Sequence, residues 1–242
     1  MTRRRWIADT WTLKGERPET AALTGDQAAH LARVLRAQPG QIFDVVAGGF
    51  LHRAEVLTVS PEEVTFRMHE ELEADAALPL HLYLAIFKYD HLEWAIEKAT
   101  ELGIATITPI LARRTEKHLA QSAPKRVERW RRIAHEASQQ SRRTTSPTIA
   151  DPIALKPALE STPYPTRILL SETEQLTTLT QALESHPSTE TAIAIGPEGG
   201  WTPEEMTLFT QHNWQPVTLG PRILRAETAA IAAIAIAASH LT

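Results

Sequence analysis

Two loops that contain glycine and proline carry the residues whose types could do chemistry. The first loop, Gly196-Pro-Glu-Gly-Gly200, follows the apolar segment 191–195, which is typical of a buried strand. Glycines let the backbone approach a ligand closely, and α/β proteins bind ligands at the carboxyl ends of their strands. Glu198 stands in the middle of this loop. We therefore predict a ligand site here, with Glu198 as its carboxylate.

The second loop reads Leu219-Gly-Pro-Arg-Ile-Leu-Arg-Ala-Glu-Thr228 and lies between the last short strand and the last helix of the sequence. Its Arg222 and Arg225 are the only Lys or Arg residues after Arg167. Residues 151–242 hold 4 Lys and Arg against 10 Asp and Glu. Two arginines in so acidic a segment favour a role in orienting an anionic group.

Several other kinds of site are excluded. The chain has no cysteine, which removes disulfides, thiolate zinc sites, iron–sulfur clusters and cysteine nucleophiles. Neither GxGxxG nor GxxxxGK[ST] occurs, so nothing supports a Rossmann dinucleotide site or a P-loop. The ten histidines include no HExxH spacing, and we predict no metal site.

The charge distribution indicates an anionic partner. Residues 78–150 hold 12 Lys and Arg against 7 Asp and Glu, a net charge of +5, whereas both flanking segments are acidic. The amphipathic segment 125–143 carries much of this charge. A second basic set lies near the start, at residues 3–5 and at His30-Leu-Ala-Arg33-Val-Leu-Arg36. Together these features favour RNA binding.

The first seventy residues read mainly as strands, at 41–47, 50–59 and 64–72, with one helix before them. For that helix we expect Thr24 as the N-cap and an apolar stripe of Ala28, Leu31, Val34 and Leu35. A small β-rich domain follows from this pattern. Residues 73–79, acidic and ending in proline, are the candidate linker.

From His81 onward strands and helices alternate, which favours a mostly parallel sheet covered by helices. Thr202 and Glu205 fit a capping box. The segment 144–165 reads as a long loop. The predicted strands are 80–87, 105–111, 167–170, 191–195 and 216–219, and the predicted helices are 91–102, 125–141, 174–185, 203–212 and 226–240.

The apolar run 229–238 has about half the length that a membrane-spanning helix needs, and the N-terminus lacks the apolar stretch of a signal peptide. We therefore expect a cytoplasmic protein without a membrane partner. The last helix is rich in alanine and isoleucine, and either core packing or a dimer interface would explain this composition.

Taken together, these motifs resemble the RsmE-type 16S rRNA uracil-N3 methyltransferases of the SPOUT superfamily. The strand–GPEGG–W–TPEE order and LGPRILRAETA carry the resemblance most specifically. Weaker support comes from Lys88, from the segment 97–103, from Thr108-Pro-Ile110 and from Gln140-Ser-Arg142. The resemblance extends over nearly the whole chain.

The resemblance implies a PUA-like β-barrel over residues 1–73 that binds RNA and a SPOUT-type α/β methyltransferase domain over residues 78–242. The α/β domain is expected to have a mostly parallel sheet with helices on both faces and a C-terminal trefoil knot. A homodimer and the cofactor S-adenosylmethionine are implied as well. The implied cofactor-binding residues are Leu170, Ser171, Glu172, Ile195, Gly196, Pro197, Glu198, Gly199, Gly200, Leu219, Gly220, Ile223, Leu224, Arg225 and Thr228.

The implied activity is methylation of N3 of a uridine in the RNA of the small ribosomal subunit. Because the chain has no cysteine, direct attack on the methyl group by a ring nitrogen or a hydroxyl is the available route. We expect Arg225 to stabilise the charge that develops on the uracil, with Arg222 as the less favoured candidate. Glu198 then either takes the proton or positions the loop and the base. The expected RNA-binding residues are Arg3, Arg4, Arg33, Arg36, Lys88, Lys98, Arg114 and Arg142.

Two other functions remain open at this point. The chain could be an RNA-binding ribosome assembly factor whose cofactor pocket is inactive, although the intact loop motifs argue against that. It could also be a related knotted enzyme that methylates the ribose 2′-hydroxyl, although the N-terminal motifs fit the N3 family better.

Overall fold

The chain divides into two compact units in a computed structural model that describes residues 5–73, 77–185 and 190–241. The first unit comprises residues 1–76 and 138–145, and the second comprises residues 77–137 and 146–242. The predicted RNA-binding residues Arg3 and Arg4 lie outside the described residues.

The first unit is built on a six-stranded sheet in the order β1-β4-β5-β6-β3-β2. All neighbouring strands are antiparallel except β1 and β4, which are parallel. Its elements are β1 (Trp6–Ile7), β2 (Thr10–Lys14), β3 (Arg17–Thr24), α1 (Gly25–Ala29), a π-helical turn (His30–Val34), β4 (Ile42–Ala47), β5 (Phe50–Val59) and β6 (Glu63–Leu72).

The core of this unit forms between the sheet and α1, where Trp6, Leu31 and Phe66 are fully buried. Gly48 and Gly49 join β4 to β5, and both have a positive φ, as a two-residue hairpin turn requires. The prediction of a β-rich first unit is therefore confirmed.

The predicted helix in this unit needs correction. Thr24 does not cap it with its side chain, because its hydroxyl donates a hydrogen bond to the Asp9 carboxylate at 3.0 Å instead. The α-helical turns widen into a π-helical turn after Ala29, so the apolar stripe breaks. Leu31 stays buried, whereas Val34 and Leu35 are 65% and 49% exposed.

The second unit contains an entirely parallel seven-stranded sheet, in the order β10-β8-β7-β12-β11-β13 with β9 also paired to β8. Its elements are β7 (Leu80–Ala85), α2 (Tyr89–Glu101), β8 (Thr106–Leu111), α3 (Lys117–Ser122), a 3₁₀ turn (Ala123–Lys125), α4 (Val127–Gln140), β9 (Thr148–Ile149), β10 (Ile153–Ala154), α5 (Leu155–Glu160), β11 (Thr166–Leu170), α6 (Leu179–Glu184), β12 (Thr191–Ile195), α7 (Pro203–Gln211), β13 (Gln215–Val217) and α8 (Ala226–Leu241).

Helices cover both faces of this sheet, as expected. Alternate residues of β7 point to opposite sides, so that Leu82 and Leu84 join the core formed by α2, α4, α6 and α8. Tyr83 joins the second core, which α5 and α7 cover with Leu159 and Phe209. Every residue of β7 and β12 is buried, as in a sheet with two covered faces. The predicted α/β class is confirmed.

Two predictions about the elements of this unit are wrong. The segment 144–165 is not a plain loop, because it contains β9, β10 and α5. The helix expected over 174–185 begins only at Leu179, because the Glu174 carboxylate accepts hydrogen bonds from the N–H groups of residues 176 and 177 and holds a turn. Thr178 then caps the helix through a capping box with Gln181.

Candidate functional site

A pocket of about 1470 Å³ lies at the edge of the sheet where the parallel strands end. The loops that line it follow β7, β8, β11, β12 and β13, so five strands bring separate parts of the sequence to one place. The carboxyl edge of an open parallel sheet is the usual ligand position in α/β folds. The pocket lies within the second unit.

The loop 196–200 forms one wall of the pocket and depends on its glycines for space. A Cβ atom on Gly196 would lie 3.1 Å from Nε1 of Trp201, and one on Gly199 would lie 3.2 Å from Cδ of Arg114. Gly200 has φ +70°, and its N–H donates to the carbonyl of Pro197 at 2.8 Å. A side chain at Gly196 or Gly199 would force a neighbouring group to shift, and one at Gly200 would strain the backbone.

Helix α7 fixes the far end of this loop through the predicted capping box. The hydroxyl of Thr202 accepts a hydrogen bond from the Glu205 N–H at 3.3 Å, and the Glu205 carboxylate accepts one from the Thr202 N–H at 2.9 Å. The second carboxylate oxygen of Glu205 accepts a further bond from the Arg113 N–H at 2.8 Å. Glu205 is only 2% exposed, so it ties the loop after β12 to the loop after β8 from inside the protein.

Arg114, the residue after Arg113, contacts the glycine loop. Its guanidinium donates a hydrogen bond to the carbonyl of Gly199. Glu172 lines the pocket opposite it, with Oε2 3.8 Å from where a Cβ of Gly200 would lie. The cationic side chain of Arg114 and the anionic side chain of Glu172 therefore both lie beside Gly200.

Glu174 shapes the loop after β11. Hydrogen bonds from the backbone N–H groups of Thr177 and Leu176 lower the pKa of its carboxyl group. The Ser171 N–H donates to the carbonyl of Val217 at 3.0 Å, which links this loop to β13. The loop is thus held as an ordered wall of the pocket.

The arginine loop after β13 turns sharply at Gly220, which has φ +117°. The hydroxyl of Thr218 accepts a hydrogen bond from the Gly220 N–H at 3.1 Å and donates one to its carbonyl at 3.1 Å. Arg222 and Arg225 both line the pocket with exposed side chains. Neither guanidinium has an ion-pair or hydrogen-bond partner within the part of the chain that the structure describes.

The start of α8 lies at the end of this loop. The carbonyl of Arg225 accepts a hydrogen bond from the Ala229 N–H at 2.8 Å, which places Arg225 at the N-terminal boundary of the helix. Two residues later, the carboxylate of Glu227 is buried, and its Oε1 lies 2.8 Å from Nδ1 of His91 on α2. His91 also lines the pocket.

The structure brings almost all predicted cofactor-binding residues together. Thr228 is the exception, because it is exposed on α8 and does not line the pocket. The pocket-lining members of the predicted set are Leu170, Ser171, Glu172, Ile195, Gly196, Pro197, Glu198, Gly199, Gly200, Leu219, Gly220, Ile223, Leu224 and Arg225.

Glu198 lines the pocket with an exposed side chain. Within the described residues its carboxylate accepts no hydrogen bond. It is therefore directed to the pocket rather than to the backbone of its own loop.

The predicted RNA-binding residues lie in several different environments. Lys88 and Arg114 line the pocket. Arg33 and Arg36 are exposed on the first unit. Hydrogen bonds from Lys98 to Glu101 and Glu97 raise the pKa of this lysine, so its charge is already balanced. Arg142 is exposed, and its carbonyl accepts a hydrogen bond from Arg5.

Sequence reasoning missed two contacts that shape the site. The capping pattern identified Glu205, but not its bond to Arg113. The contact between His91 and Glu227 gave no signal, because 136 residues separate the two positions. Within the described ranges, no group of three His, Asp, Glu or Cys side chains could hold a metal ion. In the same ranges, no helix is both long and apolar enough to cross a membrane.

Comparison with known proteins decides the family. Residues 74–238 match the model of an RNA methyltransferase domain, and residues 23–68 match that of an RNA methyltransferase PUA domain. The chain belongs to the ribosomal RNA small subunit methyltransferase E family. The family member from Synechocystis is 36% identical over 220 residues, which cover 89% of this chain and 72% of the relative. The member from Bacillus subtilis is 32% identical and covers 90% of both chains.

Solved structures of similar proteins share the fold. The methyltransferase E of Neisseria gonorrhoeae, bound to S-adenosylmethionine, has a TM-score of 0.82 and 30% identity over 96% of this chain and 95% of that one. A methyltransferase of Legionella pneumophila in complex with the same cofactor has a TM-score of 0.85 and 28% identity over 99% and 98% of the two chains. The family models and this structure agree on an N-terminal PUA domain and a methyltransferase domain.

Proposed function

We propose that this protein transfers a methyl group from S-adenosylmethionine to N3 of a uridine in the RNA of the small ribosomal subunit. The observation that carries the proposal is the pocket in which the GPEGG loop and the arginine loop meet at the carboxyl edge of the sheet. The names of the relatives, and the cofactor bound in two structures of similar fold, support the same assignment.

The residues of the pocket fit this cofactor. The glycine loop leaves its backbone open at the pocket wall, since Gly196, Gly199 and Gly200 carry no side chain. Apolar side chains of Leu170 and Leu219 offer contact area for a purine ring. Glu172 supplies a carboxylate that could accept hydrogen bonds from ribose hydroxyls. When bound, S-adenosylmethionine supplies an electrophilic methyl group on a positively charged sulfur.

The protein's own residues then have separable tasks. Loss of the N3 proton puts negative charge on O2, N3 and O4 of the uracil, and the unpartnered guanidinium of Arg225 is available within the pocket to stabilise it. Glu198, exposed on the opposite loop, either holds the base or takes the proton. We favour positioning by Glu198, whose exposed side chain lines the pocket.

Basic side chains in the pocket and on the first unit would bind the RNA. Lys88 and Arg114 line the pocket itself, and the exposed Arg33 and Arg36 of the first unit add sequence-independent attraction to phosphates. We take residues 1–73 as the RNA-binding PUA-like domain and residues 78–242 as the catalytic domain. Such a substrate implies that the protein works in the cytoplasm.

We further propose the trefoil knot and the homodimer of the SPOUT architecture. One face of α8 packs into the core through Ala230, Ala233 and Ala237, so core packing explains part of its composition. Ile236 remains 37% exposed and is a candidate for contact with a second copy. Light scattering of the purified protein distinguishes a dimer of about twice 26.9 kDa from a monomer.

The test of the proposed function is to map the product. Small-subunit RNA, free and assembled into subunits, is incubated with the protein and labelled S-adenosylmethionine, and its nucleosides are separated by mass spectrometry. We expect label in 3-methyluridine. Label in a 2′-O-methylated nucleoside would move the activity to the ribose, and cofactor binding without any label in either RNA would contradict an enzymatic role.

A further inference from the structure

We infer that His91 is a positioning residue for Arg225, acting through the buried carboxylate of Glu227. This inference rests on the proposed role of Arg225 in the pocket. It concerns a contact between α2 and α8 that joins residues far apart in the sequence.

Burial makes the contact between Glu227 and His91 important. Glu227 is only 3% exposed, and a buried carboxylate without a partner is strongly destabilising. His91 is its hydrogen-bond and ion-pair partner, at 2.8 Å between Nδ1 and Oε1. Because a carboxylate accepts, Nδ1 of the imidazole carries the proton in this bond. Among the described residues, His91 is the only side chain that bonds to this carboxylate, which stands in the first turn of α8.

The position of Glu227 fixes that of Arg225. The two residues are separated only by Ala226, and the Arg225 carbonyl accepts the Ala229 N–H at 2.8 Å as the first turn of α8 begins. The Arg225 guanidinium has no described partner of its own that could hold the loop. The direction in which Arg225 enters the pocket therefore depends on how the first turn of α8 is anchored.

His91 is suited to anchoring rather than to proton transfer. Its other ring nitrogen, Nε2, lies 3.6 Å from the carboxylate of Asp90, which is largely exposed. The ring thus stands between a buried and an exposed carboxylate, at the end of α2 nearest the pocket.

The experiment is a double-mutant cycle between His91 and Arg225, read as single-turnover methyl transfer at saturating RNA and cofactor. His91→Leu leaves Glu227 without its donor. We expect it to slow transfer between about 10-fold and 10²-fold, the range for a misplaced catalytic group, while cofactor affinity changes little. In an Arg225→Ala background the same substitution should have almost no further effect, because the group it positions is gone.

Two further variants keep the test decisive. His91→Arg restores a donor to Glu227 but cannot accept a proton at neutral pH, so recovery of most of the rate supports positioning. His118→Leu is the matched control, because His118 pairs with Glu116 at 3.5 Å on the exposed surface and outside the pocket. It should transfer methyl groups at the parental rate. Thermal unfolding confirms that each variant is folded.

The possible failures are distinguishable. If His91→Leu slows the Arg225→Ala variant by the same factor as it slows the parent, the inference is overturned and the role of Arg225 stands. Failure of folded His91→Arg to recover the rate also overturns it. If the Arg225→Ala variant transfers methyl groups as fast as the parent, the proposed role of Arg225 is wrong, and the inference about His91 is overturned with it.

Discussion

The carboxylate of Glu205 holds two loops of the pocket at once, since it accepts the N–H of Arg113 at 2.8 Å and the N–H of Thr202 at 2.9 Å. Arg113 follows β8, whereas Thr202 follows the glycine loop after β12. Between β8 and β12 lies β7, so this buried side chain joins loops that their own strands do not bring into contact. The geometry of the pocket depends on it.

Glu205→Ala should therefore damage both stability and cofactor binding. Two backbone N–H groups lose their acceptor, at a cost of at least about 2 kcal/mol in the free energy of unfolding. Urea unfolding and calorimetric titration with S-adenosylmethionine measure the two effects. Glu204→Ala is the neighbouring control, because Glu204 is exposed and its lowered pKa reflects hydrogen bonds at the helix start. Equal losses for the two variants would contradict the account.

Gly199→Val should abolish binding of S-adenosylmethionine while the first unit stays folded. The first added carbon would already lie 3.2 Å from Cδ of Arg114, so the arginine side chain that donates to the Gly199 carbonyl must shift. Gly199 does not have a positive φ, and the variant therefore tests space rather than backbone strain. Calorimetry measures the affinity, and Thr210→Val on the exposed side of α7 is the control. Unchanged affinity in Gly199→Val would rule out a cofactor loop here.

Replacing Arg33 and Arg36 by alanine should weaken RNA binding and leave cofactor affinity unchanged. Each phosphate contact that is lost should flatten the salt dependence of the binding constant by a slope of about 0.7–0.9. Filter binding at several salt concentrations gives this slope. Arg53→Ala is the matched control, since Arg53 already forms an ion pair with Glu70 at 3.0 Å in the same unit. A double variant whose slope equals the parental one would show that these arginines do not contact phosphates.

The sequence was sufficient for the parts of the fold that depend on local signals. Alternating strands and helices predicted the parallel sheet, and Thr202 with Glu205 predicted the start of α7, because each pattern lies within a few residues. The helix predicted over 174–185 begins late, at Leu179, because the Glu174 carboxylate accepts the N–H groups of residues 176 and 177 and holds a turn there. The prediction of an apolar stripe through Val34 and Leu35 was wrong because the helix changes to π-helical spacing.

The site was only partly predictable for a related reason. Glycine and arginine in the two loops predicted the pocket, because close approach to a ligand requires glycine and binding of an anionic group favours arginine. The bonds from Glu205 to Arg113 and from His91 to Glu227 join positions 92 and 136 residues apart. No local pattern encodes such a pair. Lys88 and Arg114 were predicted to bind RNA from the resemblance alone. The order of the strands in the sheet is what brings both residues to the pocket.

The most direct test of the account measures single-turnover methyl transfer by Arg225→Ala at saturating RNA and cofactor. If Arg225 stabilises the charge on the uracil, the rate should fall by about 10²–10³, whereas the affinity for S-adenosylmethionine should change little. Arg225→Lys should recover only part of the rate, because an ammonium cannot reproduce the planar guanidinium. Arg225→Ala protein that transfers methyl groups at the parental rate would contradict the account and move the charge-stabilising role to Arg222 or to backbone amides.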